Sequence, residues 1–204
     1  MKAGYSIVFS ILRFFCALVY PLKYIGRENI PEGAAVVCAN HSDAIDPLLV
    51  AFALGRRTYP RFMAKIELRR IPIIGWILEK AGVFFVDRSV ADINSAREAM
   101  RLLKSGEKVM LFPEGRRVAK DESADVKTGA IRFAARVSVP ILPVYVPREK
   151  RFFRRTTIVI GKPYALDVSR PSREESEALA NELMAKIAAL SNAGSVSEIN
   201  SCGV

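Results

Sequence analysis

The chain opens on an apolar segment, Gly4 to Tyr20, broken by a single charge at Arg13, and this run predicts a helix. After it, short apolar runs alternate with longer stretches of helical period. Ala34–Ala39, with Val36 and Val37 at its centre, predicts a strand buried on both faces. Asp46-Pro47 predicts a helix start, with Asp46 as the N-cap and Pro47 at the first helical position, where its missing N–H is no loss. Gly55 ends that helix after Leu54. Further strands are predicted over Arg61–Lys65, Val83–Val86, Lys108–Phe112, Ile141–Val146 and Thr156–Ile160. Helices are predicted over Pro72–Lys80, Asp92–Lys104, Lys127–Val137 and Arg173–Leu190, the last from apolar positions at Leu179, Leu183, Ile187 and Leu190. Residues 191–204 lack apolar periodicity and are expected to form a disordered tail.

Strands alternating with helices specify an α/β fold: a single layered domain with a mixed, largely buried β-sheet flanked by helices. That domain is expected over residues 25–190, preceded by a membrane-interacting N-terminal helix within residues 1–24. A signal peptide would want a small-residue cleavage site, but the apolar run ends in Tyr20-Pro21-Leu22-Lys23. A membrane span is also disfavoured, because 17 residues reach only about 25 Å against a hydrocarbon core of about 30 Å. Arg13 near its middle would add a cost of about 2.5–3.5 kcal/mol. The expectation is an interfacial helix with Arg13 and Lys23 reaching lipid phosphates, and the alternative is a helix packed on the protein's own core.

Charge sharpens this reading. Lys and Arg number 31 against 21 Asp and Glu, a net charge of +10, so a polyanionic partner is expected. An anionic membrane suits the apolar N-terminus; nucleic acid is not expected, since no nucleic-acid-binding fold signature is present. Two basic clusters stand out. The first holds Arg56, Arg57, Arg61, Lys65, Arg69 and Arg70; the second holds Arg148, Lys150, Arg151, Arg154 and Arg155 around Phe152-Phe153. Both read as solvated faces, the second at headgroup level. The three cysteines, Cys16, Cys38 and Cys202, form no CxxC pair, so neither a disulfide framework nor a metal site is expected, and a reducing compartment is.

Candidate chemistry begins at the only histidine, His41, five residues before Asp46. On one continuous helix that spacing would leave the two side chains roughly 140° apart. The helix-start signal instead puts His41 in the preceding loop, where a turn can bring it back to Asp46. A carboxylate on one ring nitrogen would fix the tautomer and free the other as a proton acceptor. Local sequence leaves the plain alternative equally open: Asp46 as a cap and His41 as a polar loop residue. Cys38 three residues earlier lies in a buried run and reads as inert core rather than a nucleophile. Ser42 lacks a Gly-x-Ser-x-Gly elbow, and Asp43 is a rival partner for the histidine. Downstream, Phe112-Pro113-Glu114-Gly115-Arg116-Arg117 delivers a carboxylate and two guanidiniums to a strand end, a setting suited to phosphate.

Four segments occur in order: His41-x4-Asp46, Gly82–Arg88, Phe112–Arg117 and Val139–Val144. Together they resemble the motif blocks of the glycerolipid acyltransferases, most closely the 1-acylglycerol-3-phosphate (lysophosphatidate) acyltransferases. Ala64-Lys65-x-Glu67-Leu68, Pro72–Gly75 before Trp76, and Lys127-x-Gly129-Ala130 are similar to that family's connecting sequence, so the likeness runs from about Ala34 to Ile160. The resemblance implies His41 as general base with Asp46 orienting it, and an acceptor hydroxyl that attacks an acyl thioester directly. It implies binding of the acceptor's glycerol phosphate by Glu114, Gly115 and Arg117, with Arg88 and Lys65 as further phosphate contacts and Pro140 and Pro143 shaping the donor side. It also implies phosphatidate as product, acyl-CoA or acyl-carrier protein as co-substrate, no other cofactor, and membrane association on the cytoplasmic face.

One departure bears on the acceptor. The family's third block usually reads Glu-Gly-Thr-Arg-Ser, whereas here Arg116 and Val118 replace the two hydroxyl residues. Arg116 is therefore a candidate selectivity residue, and the alternative acceptors are glycerol 3-phosphate or another lyso-lipid, such as an aminoacyl one. A further alternative is a non-catalytic basic module holding anionic membrane, which would have no use for a histidine set beside a carboxylate.

Overall fold

The computed structural model describes residues 3–86, 93–119 and 125–199. Seven strands form one sheet: β1 (Leu22–Ile25), β2 (Ala35–Ala39), β3 (Arg61–Lys65), β4 (Phe84–Val86), β5 (Lys108–Leu111), β6 (Ile141–Tyr145) and β7 (Thr156–Ile160). Their spatial order is β1-β7-β6-β2-β5-β3-β4. Every neighbouring pair is parallel except β6 with β7, which makes the sheet mixed as expected.

Helices cover both faces. Val37, Ala39, Met110, Leu142 and Val144 pack under α1 (Ala3–Val19) and α2 (Asp46–Leu54). The alternate residues Val36, Cys38, Val109 and Ile141 pack under α4 (Ile93–Lys104), α5 (Gly129–Val137) and α6 (Arg173–Ile199). Successive strand side chains point to opposite faces, and so β2, apolar at every position, serves both cores at once. The remaining helix, α3 (Pro72–Lys80), touches α1.

The register decides where chemistry gathers. Ala39 pairs with Val144 of β6 and Cys38 with Leu111 of β5, so the residues following β2, β5 and β6 leave the sheet side by side. This is the carboxyl edge of parallel strands, the usual ligand edge of α/β sheets.

Four details differ from the sequence reading. Leu22–Tyr24, expected to belong with the N-terminal helix segment, form with Ile25 an edge strand paired in parallel with β7, so the division expected at residue 24 falls inside the sheet. Four residues behind a longer apolar run carry too little pattern to be separated from it. The closing helix runs to Ile199, past the expected end at Leu190 and through much of the tail expected to be disordered. Apolar periodicity reports a buried face, whereas a nucleated helix propagates beyond its packed portion. Helix α2 takes Ile45 as its N-cap, in helical conformation and without a side-chain cap bond, so Asp46 is already helical and its carboxylate is not the cap. Lastly, α1 is a core helix on one side: Tyr5, Phe9 and Cys16 are buried, as is Tyr20 just after it, and Phe9 meets Phe52 edge-on at 5.2 Å.

The outer side of α1 exposes Ile7, Ile11, Phe14, Phe15 and Leu18. Arg13 does not extend away from the protein, because its guanidinium donates to the Tyr24 hydroxyl at 3.0 Å. Among the described residues, no helix is long and apolar enough to cross a membrane.

At Gly26 the backbone is left-handed, with φ +79°, and a Cβ there would sit 2.0 Å from the Ile160 carbonyl oxygen. Gly26→Ala is therefore expected to destabilise the β1–β7 edge by more than ~1 kcal/mol, read as a fall in the urea midpoint. An unchanged midpoint would show that this close approach is not required.

Candidate active site

His41 leaves the end of β2 with its ring stacked on Phe112, just past β5, at a centroid distance of 4.0 Å and an interplanar angle of 19°. Its Nδ1 lies 3.0 Å from Asp46 Oδ2. The same carboxylate oxygen accepts the backbone N–H groups of Ser42 and Asp43, each at 2.7 Å. The Asp46 carboxylate thus turns back from the first residue of α2 into the loop and organises it. Asp43, the rival partner, accepts the Ile45 amide instead.

The other Asp46 oxygen, Oδ1, is 2.8 Å from Lys150 Nζ, and side chains of both residues are essentially inaccessible, at 0% and 1% exposure. Lys150 also donates to Ser42 Oγ at 2.9 Å. Burial alone would raise the Asp46 pKa, but hydrogen bonds from His41, Lys150 and the Asp43 amide outweigh it and hold the carboxyl below the usual carboxylate range. His41 itself is 17% exposed, so with Nδ1 committed the imidazole keeps contact with solvent.

Glu114 forms the second half of the site. Its carboxylate is buried, accepts the His41 backbone N–H at 2.5 Å, and pairs with Arg148. Arg148 also donates to the Val118 carbonyl at 2.8 Å, while the Val118 N–H donates to the His41 carbonyl at 2.8 Å. The loop after β5 is thereby clasped to the loop after β2. Asn40, also buried, exchanges two hydrogen bonds with the Val146 backbone, 2.7 Å out and 2.9 Å in, and so extends the β2–β6 pairing by side chain.

A histidine oriented by a buried carboxylate, on a strand-end loop beside two exposed arginines, is an arrangement for taking a proton next to an anionic group. The model of a family described as Acyltransferase matches residues 21–147, more than half of the chain, including the loops after β2 and β5. The chain belongs to the acyltransferase family. This acyltransferase is 29% identical over 197 residues to a 1-acyl-sn-glycerol-3-phosphate acyltransferase of Bacillus subtilis (strain 168), covering 92% of this chain and 97% of that protein. It is 32% identical over 136 residues to the protein of the same name from Borreliella burgdorferi, covering 65% of this chain and 54% of that one. Its fold is similar to the crystal structure of the 1-acyl-sn-glycerophosphate (LPA) acyltransferase from Thermotoga maritima, with a TM-score of 0.69 and 27% identity over 91% of this chain and 78% of that one.

The acyltransferase brings together His41, Asp46 and Glu114. Gly115 closes the turn after Phe112 at φ +65°, with its N–H on the Phe112 carbonyl at 3.0 Å. Arg116 and Arg117 are exposed on that loop, and Arg116 Nη1 lies 3.3 Å from the Arg117 carbonyl oxygen. Val118 is buried, so the position where the family carries a hydroxyl packs inward here. Lys65 ends β3 and is exposed. It shares the site's edge but stands two strands from β2, roughly 10 Å away across the sheet. Arg88 lies outside the described residues. Cys38 is fully buried, burial pushes its thiol pKa up, and it takes no part in the site.

Arg148 and Lys150 correct the sequence reading, which placed both in a solvated basic face. The alternation of β6 continues past its end: Val144 and Val146 are buried, and Arg148 and Lys150 follow at the same two-residue spacing and face inward. That period-2 continuation was visible in the sequence; the carboxylates awaiting it were not. Asn40→Ala is expected to cost about 1–3 kcal/mol, because two buried backbone groups of Val146 lose their partner. Chemical denaturation checks this, and a loss within ±0.5 kcal/mol, the range of an ordinary surface change, would contradict it.

Proposed function

We propose that this acyltransferase moves a fatty acyl group from a thioester, acyl-CoA or acyl-carrier protein, to the free hydroxyl of lysophosphatidate at a membrane surface, giving phosphatidate. The observation carrying the reading is the His41–Asp46 contact at 3.0 Å, set beside the Glu114–Arg117 loop. Asp46 holds Nδ1, so Nε2 takes the acceptor's hydroxyl proton as the oxygen attacks the thioester carbonyl. The tetrahedral oxyanion then collapses, the carbon–sulfur bond breaks, and the departing thiolate recovers the proton from the imidazolium. The products are an ester and a free thiol, with no acyl group on the protein and no cofactor beyond the donor. The exposed guanidiniums of Arg116 and Arg117 suit the acceptor's phosphate.

Membrane association on the cytoplasmic face belongs to the same proposal, because a lyso-lipid acceptor resides in the bilayer. At one end α1 touches α3, where Ile73, Ile74 and Trp76, with Ile71 just before it, are exposed. At the other end the Phe153 N–H donates to the Val19 carbonyl at 2.8 Å and Phe152 meets Tyr20 at 5.5 Å. Phe152 and Phe153 are 67% and 77% exposed. A contiguous apolar strip of this kind marks an interaction surface. Exposed arginines flank it at Arg56, Arg57, Arg151, Arg154 and Arg155, which suits anionic headgroups. Phe152 lies two residues after Lys150, at most about 7 Å of chain from the residue that holds Asp46.

Purified protein supplied with either thioester and a panel of lysophosphatidate, glycerol 3-phosphate and other lyso-lipids tests the acceptor: transfer is expected to be fastest to lysophosphatidate. Preference for another acceptor would move the assignment to it. Deleting α1 would open the core, so the membrane surface is better tested by Phe14→Ser, Phe15→Ser and Phe152→Ser together. These are expected to weaken binding to anionic phospholipid vesicles by at least ~10-fold, given ~1.5–3 kcal/mol for each aromatic side chain fully withdrawn from water. Unchanged vesicle binding would remove the strip from the proposal.

A further inference from the structure

On the sheet face opposite α1, a cleft of about 490 Å³ lies between α4 and α5 and the segment at Ser169–Pro171. Three of its lining residues are arginines: Arg132 and Arg136, one turn apart on α5, and Arg170. All three are exposed, and none forms an ion pair with a described residue. A protein surface usually intersperses opposite charges, so three guanidiniums converging on one concavity favour an anion. Thr128 and Gly129, where α5 begins, line the same cleft, and the positive end of a helix dipole favours negative charge in the same place.

This cleft is not isolated from the site. A second, mostly apolar cleft of about 300 Å³ is lined by Met63, Leu111, Phe112 and Gly115, and it shares Gly129 and Phe133 with the first. Phe112 is the residue stacked on His41. A track therefore leads from the arginines, past Phe133, to the ring beside the histidine. Along α5, Arg132 and Arg136 stand roughly 5 and 10 Å from Gly129 at 1.5 Å per residue.

We propose that the arginine cleft binds the phosphate of the acyl donor's carrier arm, and that the apolar cleft carries the uncharged part of that arm to the thioester beside His41. The proposal rests on the acyl-transfer reading above and names how the donor enters. Coenzyme A and acyl-carrier protein share a phosphopantetheine arm, a phosphate joined to a long uncharged thiol-bearing chain, and that order of chemistry matches the two clefts. The two substrates then arrive on opposite sides of the sheet: the lipid acceptor from the α1–α3 side, and the water-soluble donor from the α4–α5 side.

The test is Arg132→Gln with Arg136→Gln, assayed with acyl-CoA, acyl-carrier protein and a phosphate-free acyl-pantetheine. The KM for at least one phosphate-bearing donor is expected to rise on the order of 10-fold or more, as loss of charge-assisted hydrogen bonds implies. The KM for acyl-pantetheine, the KM for the acceptor and kcat should stay as in the unaltered protein. A rise with both donors, or with the only one that serves the protein, assigns the cleft to the shared arm; a rise with acyl-CoA alone when both serve moves it to the nucleotide phosphates and overturns the assignment to the arm. An equal rise for acyl-pantetheine, a rise in acceptor KM, or no change for either phosphate-bearing donor overturns the proposal. Should no thioester serve the unaltered protein, the acyl-transfer reading fails; calorimetry with coenzyme A then reads the cleft alone, and binding equal in both proteins, or absent from both, overturns it too. An unchanged thermal midpoint for the doubly substituted protein shows that it folds.

Discussion

Replacing His41 by alanine is expected to lower the rate of acyl transfer by roughly 10²–10⁴-fold, the range that a positioned general base contributes. The protein should remain folded, because the contact that ties this loop to Glu114 comes from the His41 backbone N–H, which alanine keeps. The Val118 amide on the His41 carbonyl is kept for the same reason. What alanine removes is the ring on Phe112 and the Nδ1 contact to Asp46. Steady-state turnover and a thermal melt separate the two effects. A variant with unaltered turnover would rule out the base role and require another group to take the acceptor's proton. Unchanged vesicle binding alongside lost turnover is the expected pairing, since His41 is not part of the apolar strip.

The second large effect is expected at Lys150, and on stability. Lys150→Met leaves Asp46 buried with one oxygen deprived of its cation, and breaking a buried pair in this way costs about 3–5 kcal/mol. The pH dependence follows from the direction of the Asp46 shift. Its carboxyl is held below the usual range in the folded protein. A depressed carboxyl contributes stability that is present above its unfolded pKa, about 3.9 for an aspartate, and lost as pH falls through the lower folded value. The deficit of Lys150→Met should therefore be largest near neutral pH and shrink as pH falls below about 4 toward the lower folded value, where the carboxyl protonates in the folded protein as well. Urea unfolding at several pH values reads this directly. Lys150→Arg, which keeps the charge, should recover part of the loss. A deficit independent of pH, or equal in Met and Arg variants, would mean that packing rather than charge accounts for it. Glu114 with Arg148 repeats the same arrangement on the neighbouring loop, so the two cations after β6 neutralise the two carboxylates that shape the site.

Much of the architecture was legible along the chain because each strand carries its own pattern. Ala35–Ala39 is apolar at every position since it lies between two cores, and Pro72, Gly55 and Gly106 punctuate elements by local backbone chemistry. His41, Asp46 and Glu114 were legible as candidates because they are polar residues at the ends of apolar runs, where no core can use them. Asp46 was half legible. Its place at a helix start suggested a cap, but its carboxylate serves the loop behind it, since the chain turns so that the Ser42 and Asp43 amides face it.

Sequence by itself determined the class of fold, the order of its strands and helices apart from the edge strand β1, and the residues available for acid–base chemistry, since these depend on local period and residue type. Tertiary structure alone decided which of them meet. Arg148 and Lys150 lie more than a hundred residues from the loop that holds His41 and Asp46, and no local pattern links such distant segments. The pairing of β2 with β6 in parallel register lets the two segments leave the sheet together, and the exclusion of water there makes each buried carboxylate require a cation. For the same reason a cluster that looked like one basic face divides in two: Arg148 and Lys150 turn in to hold the site, and Arg151, Arg154 and Arg155 remain outside with Phe152 and Phe153.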